Sequence, residues 1–246
     1  MALIPHNKYL IHYGVKGMKW GVRREANRRV REARSHLVSR ASWASREITE
    51  SEYKTLSAKP IHLGYKFNRV SGNSSTNLSD FAYVTTNKDD HNRYIALLNP
   101  NGPNAKLGQK FSISIQSAKE VVSPGMKERV DSYISILDDK MNNGMTARDY
   151  ILSANPNLSS LNNRELGLKT YQTFSQSVVM QNPITSLYFD EIKKKGYNAV
   201  VDDADRDFVS KTPVIIFPKE SSSKVTEVVP LTPDDILQAA LDMPQY

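Results

Sequence analysis

Two spacings of apolar residues alternate along the chain. From Val22 onward, Val22, Ala26, Val30, Ala33 and Leu37 recur every three or four residues, which predicts a helix over residues 22–45. Its apolar face is thin, Ala and Val throughout most of its length, so such a helix needs docking on a partner or on its own domain. The run Thr49–Glu52 has the N-cap pattern of a second, short helix that Lys59-Pro60 ends. Alternation then takes over. Lys66–Ser71 and Phe81–Thr86 read as strands on either side of a polar loop, Gly72–Asp80. Asn87 opens a short helix to Leu98, with Asp89 and Asp90 in the first turn, where they meet the positive end of the helix dipole. After the turn cluster Asn99–Gly108 come strands at Lys110–Gln116 and Glu120–Val122.

Helical spacing returns from Pro124 to about Phe189. Val130, Tyr133, Ile134 and Leu137 share one face, Tyr150 and Ile151 lie in a second helix, and Leu168, Tyr171, Phe174 and Val178 mark a third over Leu166–Met180. A fourth, Leu187–Lys195, stops at Gly196, a residue suited to the left-handed turn after a helix. Ala199–Val201, Val214–Phe217 and Val225–Val229 read as strands, and Pro233–Leu241 as an amphipathic helix capped by Thr232. Strands, then helices, then strands predict an α+β domain whose early strands pair with late ones. The expected organisation is a peptide arm over 1–21, a basic helix over 22–50, and a mixed-sheet α+β domain with an inserted helical segment over 51–246.

The net charge of +7 is concentrated at one end. Residues 1–46 hold eleven Lys and Arg against Glu25 and Glu32, a balance of +9, so the remaining residues carry −2. A basic arm of this kind suits nucleic acid, an acidic protein surface or anionic lipid. No apolar run approaches the roughly 18 residues of a membrane span, and the first residues lack the basic, apolar and small-residue order of a secretory signal. The chain has no cysteine, which excludes disulfide and thiolate chemistry. Gly-rich phosphate loops, Gly-x-Ser-x-Gly and paired-histidine metal motifs are missing from the sequence, and His62 and His91 stand alone.

One run is too unusual to be filler. HYGVKGMKWGVRR, His12–Arg24, sets Gly14, Gly17 and Gly21 among Lys16, Lys19, Trp20, Arg23 and Arg24. Glycine costs about 1 kcal/mol per helical position relative to alanine, so the run predicts an irregular or extended peptide. Trp20 in its basic frame has the character of a docking anchor; the plain alternative is a loop folded back on the domain. The run closely resembles a short signature, His-x-Gly-x-Lys-Gly-(Met or Gln)-Lys-Trp-Gly, of proteins encoded among the structural and head-morphogenesis genes of tailed bacteriophages. That resemblance implies a phage or prophage origin and a place in the virion or the bacterial host cytoplasm. It also implies docking on phage head or other virion proteins through His12, Lys16, Lys19, Trp20, Arg23 and Arg24, with nucleic acid a further candidate for the same arm.

Three further stretches carry chemistry. YKFNRVSG places Arg69 in mid-strand, a costly position unless it is paired or holds an anion. FAYVTTNKDDHNRY ends a strand in Thr85-Thr86 and runs into a helix bearing Tyr94, and KKGYNAVVDDADRD ends a strand in Asp202, Asp203, Asp205 and Asp207. Read plainly, Arg69 pairs with an aspartate, the threonines follow strand propensity and the aspartates form a solvated turn. In this order the stretches resemble the ADP-ribosyltransferase fold of phage-encoded and toxin-like proteins. The resemblance implies NAD as cofactor, with Arg69 on its phosphates, Tyr83, Thr85 and Thr86 around the nicotinamide, and Tyr94 stacking on it or capping it. Asp202 or Asp203 would be the acid that offsets positive charge developing on the ribose. The family's Glu-x-Glu or Gln-x-Glu before a late strand has no clear counterpart here. Two expectations follow: an NAD-dependent transferase acting on host components, or a non-enzymatic virion interaction module on a degenerate form of the same fold.

Overall fold

The computed structural model describes residues 20–40, 47–98, 108–175, 183–202 and 212–243. The arm before Trp20 with His12, Lys16 and Lys19, the side chain of Trp20, the turn residues 99–107, Asp203, and the helical assignments at 41–45 and 176–180 lie outside the described residues.

The architecture is α+β, and its strands pair early with late as the pattern predicts. β1 (Ile61–Ser71) runs antiparallel to β3 (Phe111–Ser123), which pairs on its other edge with β6 (Ser223–Pro230). β2 (Ala82–Val84) and β4 (Ala199–Val201) both pair with β5 (Val214–Ile216). Every strand pair among the described residues is antiparallel, so the expected mixed sheet is replaced by two three-stranded antiparallel sheets. The two strands expected over 110–122 are one continuous β3. Its pairing with β1 is irregular around Gly64, which is held at φ +80° as glycine allows: β1 carries an extra residue between His62 and Gly64, and β3 carries three extra between Gln116 and Val121.

α1 (Trp20–Arg40) starts two residues before the expected helix and takes in Trp20 and Gly21, which corrects the expectation of an irregular arm through residue 21. Gly21 lies in the first turn, where few intrahelical bonds depend on it. The thin Ala/Val face is buried on the chain's own domain. Ala26, Val30 and Ala33 are at most 3% exposed and pack with Ile95 and Ala96 of α3 (Lys88–Ala96) and Ile236, Leu237, Ala239 and Ala240 of α9 (Pro233–Asp242). α2 (Glu50–Thr55) carries the expected Thr49/Glu52 capping box.

The helical insert comprises α4 (Met126–Ser135), α5 (Ala147–Ala154), α6 (Asn163–Phe174) and α7 (Pro183–Lys194), and the short α8 (Pro218–Ser221) leads into β6. Val130, Tyr133, Leu137, Ile151, Leu166, Tyr171, Tyr188 and Ile192 are fully buried in one cluster, where Tyr133, Tyr171 and Tyr188 meet edge to face. This cluster abuts the β2-β5-β4 sheet through Val200, Ile215 and Phe217, and so fixes one wall of the gap between the sheets.

Gly125, at the start of α4, sits where the chain crosses residues 57–59. A Cβ there would lie 2.5 Å from the Ala58 carbonyl carbon and 2.6 Å from the Ser57 and Lys59 oxygens. Backbone cannot yield as a side chain does, so Gly125→Ala is expected to lower stability by about 3 kcal/mol. Denaturant unfolding checks this, and an unchanged midpoint refutes it. A second expectation concerns His91 of α3, whose Nε2 meets Ser112 Oγ at 2.8 Å while Nδ1 is buried without a partner. Burial pushes its pKa below the ordinary 6.5. Below that pH the unfolded chain takes up a proton that the folded chain refuses. Stability therefore falls as pH drops from about 6.5 towards the folded pKa, and His91→Gln flattens that part of the stability profile.

Candidate ligand cleft

The two sheets share an isolated backbone bridge, Asn68↔Thr85, and meet again where β3 passes β4, with Val201 N donating to Ser123 Oγ at 3.0 Å and Val122 N donating to Asn198 Oδ1 at 2.7 Å. Asn68 N donates to Thr85 O at 3.0 Å, and Thr85 N donates back to Asn68 O at 2.7 Å. The Thr85 hydroxyl donates to the same Asn68 carbonyl at 3.1 Å. At the Asn68–Thr85 joint a small cleft of about 60 Å³ opens to solvent. Asn68, Arg69 and Val70 form one side, Tyr83, Val84 and Thr85 the other, with Tyr94 of α3 and Pro213 and Val214 at the start of β5 completing the walls.

Register fixes where Arg69 points. Directly opposed residues of an antiparallel pair share a face, and Phe67↔Ile115 and Arg69↔Ile113 place the arginine on the same face as three core residues. It is half-buried, Nε is shut off from water without a hydrogen bond, and it makes no ion pair among the described residues. Burial lowers its pKa from the ordinary arginine range, and no neighbouring carboxylate counters the effect. Arginine stays charged regardless, so its cost of desolvation is uncompensated until an anion supplies acceptors. The plain expectation of an Arg69–aspartate pair is not met among the described residues.

Tyr94 is held by a local device in the first turn of α3. Asn87 caps the helix by accepting from Asp90 N at 2.8 Å, and its amide donates to Asp90 Oδ2 at 3.1 Å. Asp90 in turn receives Arg93 Nη1 at 3.0 Å, in a pair whose side chains are at most 7% exposed. The residue next to Tyr94 is thus locked, and with it the orientation of that turn. Tyr83 is half-buried and packs against the helical cluster, on the opposite face of β2 from Ala82 and Val84, which point into the core between the sheets.

The structure brings Arg69, Tyr83, Thr85 and Tyr94 to one cleft. Thr85 is there as the joint itself, 2% exposed with its hydroxyl already committed. Thr86 is outside the lining. Asp202 is 4% exposed, and its N–H donates to Pro213 O at 2.8 Å, which places it one hydrogen bond behind the wall that Pro213 forms. Of the residues assigned to partner docking, Arg23 is 9% exposed and Arg24 is exposed. Asn68, Val70, Val84, Pro213 and Val214 were not singled out by sequence. Asn68 carried the one usable signal, a second polar residue beside Arg69 in a strand; the others supply apolar wall with no chemistry of their own to mark them.

Residues 5–27 match a protein family of unknown function, DUF7211. The match covers the glycine-rich signature and the first two turns of α1, and none of the cleft. No curated protein and no solved structure matches the chain.

An arginine kept for a ligand should cost the apo protein stability. Arg69→Met, which keeps the bulk and removes the charge, is expected to leave stability unchanged or raise it by about 1 kcal/mol. Urea unfolding of the two proteins without ligand checks this, and a loss of about 2 kcal/mol or more would make Arg69 a structural residue instead.

Proposed function

We propose that the cleft is a dinucleotide site and that the protein is a phage or prophage virion-associated protein carrying an ADP-ribosyltransferase-like domain that binds NAD. One observation carries this reading: Arg69, Tyr83 and Tyr94, from two strands and a helix, converge on one cleft in which the cation has an open valence. A half-desolvated guanidinium suits a phosphate or pyrophosphate, which offers paired acceptors. Tyr83 and Tyr94 supply aromatic surface for a flat heterocycle. The resemblance of the ordered stretches to ADP-ribosyltransferases selects NAD among such ligands, and the N-terminal signature supports the phage assignment.

A second reading, a non-enzymatic interaction module on the same fold, is favoured by the position of Asp202 behind the wall. In the enzymatic reading a carboxylate must face the ribose to offset its developing charge. Calorimetric titration with NAD, with nicotinamide release followed in the same sample, separates the two. The enzymatic reading expects saturable binding and release. Arg69→Ala is expected to weaken binding by about tenfold or more, the loss typical of a hydrogen bond to a charged group. Binding without release supports the module; no binding at millimolar NAD removes the dinucleotide reading.

A further inference from the structure

The sequence presents α1 as a docking helix for something outside the chain, yet its arginines are largely turned inward. Arg34 Nη2 donates to Leu97 O at 2.9 Å, and Arg29 Nη1 donates to Leu241 O. Leu97 is the residue that ends α3, and Leu241 lies in the last turn of α9. Two arginines of one helix therefore satisfy carbonyls at the C-terminal ends of two others, where unpaired oxygens and the negative end of the dipole favour a cation. Arg28 is also spent at home, bonded to Glu25 and Glu32 of the same helix.

This layer is the back of the cleft. Tyr94 lines the cleft and lies less than one turn before Leu97. Val70 lines the cleft too, and packs against the cluster that holds Ala26, Val30 and Ala33 of α1 with Ile95 and Ala96 of α3. The Asn87–Asp90–Arg93 network fixes the start of α3, and Arg34 fixes its end.

We propose that Arg34 is a positioning residue for the cleft: by bonding the Leu97 carbonyl it clamps the C-terminal end of α3 and holds Tyr94 in place, which makes the basic helix part of the site's support. The effect on ligand affinity rests on the NAD reading above; the clamp on α3 does not. The test compares wild type, Arg34→Ala, Arg34→Lys and the control Arg28→Ala in the full chain, by amide hydrogen exchange and by NAD titration. Arg34→Ala is expected to speed exchange of the Tyr94–Leu98 amides by about tenfold while α4 to α7 keep their protection, because local opening is set by local bonds. It should also weaken NAD binding by about fivefold, as loss of a supporting residue does. Arg34→Lys, which can still reach the carbonyl with a charge, restores most of both, and Arg28→Ala changes neither. Unchanged exchange in α3, a uniform rise throughout the protein, or loosened α3 with unaltered NAD affinity each overturn the proposal. Should wild type bind no NAD, the dinucleotide reading falls alone and the exchange pattern decides the clamp.

Discussion

The joint between Asn68 and Thr85 is the constraint from which the cleft follows. Two sheets that shared a full ladder would be one surface with no gap, and two that shared nothing would depend on helices alone for their relative placement. Here a reciprocal pair of backbone bonds, reinforced by the Thr85 hydroxyl on the same carbonyl, pins the sheets on the cleft side, while the bonds of Ser123 and Val122 with Val201 and Asn198 hold them together where β3 passes β4. The strands part at this pin, and Arg69 follows Asn68 directly in β1. A threonine suits the position doubly: its β-branch favours extended backbone and its hydroxyl adds the third bond. Each sheet also has a cluster of its own, the tyrosine-rich helical core behind β2-β5-β4 and the α1-α3-α9 layer beside Val70 of β1, while a third apolar cluster joins residues of both sheets.

Charge is placed by the same economy. The excess of positive charge in the first 46 residues invites a polyanion reading, but in α1 the cations are matched to oxygens already present. Glu25 is pulled down to about 2 by its hydrogen bonds with Arg28 and Arg29, and the ends of α3 and α9 take the rest of Arg29 and Arg34. Arg24 and Arg31 remain on the exposed side of the helix. Arg69 is the contrast: far less exposed than Arg28, without a carboxylate among the described residues, and placed where a ligand can enter. A half-buried cation without a carboxylate partner among the described residues is expensive, and the proposed anion site rests on that cost.

Much of this was legible before any fold was known, for identifiable reasons. Arg69, Thr85 and Tyr94 stood out because each broke or ended a local pattern, a charge in a strand, a hydroxyl pair at a strand's end and an aromatic in a short helix, whereas Tyr83 came only with the resemblance. Local pattern also gave the α+β class and the capping boxes at Thr49 and Thr232. What it could not give was geometry that depends on distant pairing. The split into two sheets rests on which edges of β1 and β2 stay unpaired, and no periodicity encodes that. The burial of Asp202 likewise follows from β4 pairing with β5, which turns the residue after Val201 towards Pro213. The inward turn of the α1 arginines was hidden because an amphipathic pattern states that a face is covered, not by what.

Trp20 divides the segment matched by the unknown family into two parts with different physical constraints. Residues 20–27 are helical, and within them Ala26 is fully buried against the α3-α9 layer while Arg23 is 9% exposed. A small residue at 26 is thus required by packing on this domain, since the helices meet there. Residues 5–19 of the match lie outside the described residues. The helix that follows the signature packs on the domain in the layer behind the cleft. α1 in turn contacts the helix that carries Tyr94, through the Arg34–Leu97 bond and the apolar cluster the two helices share.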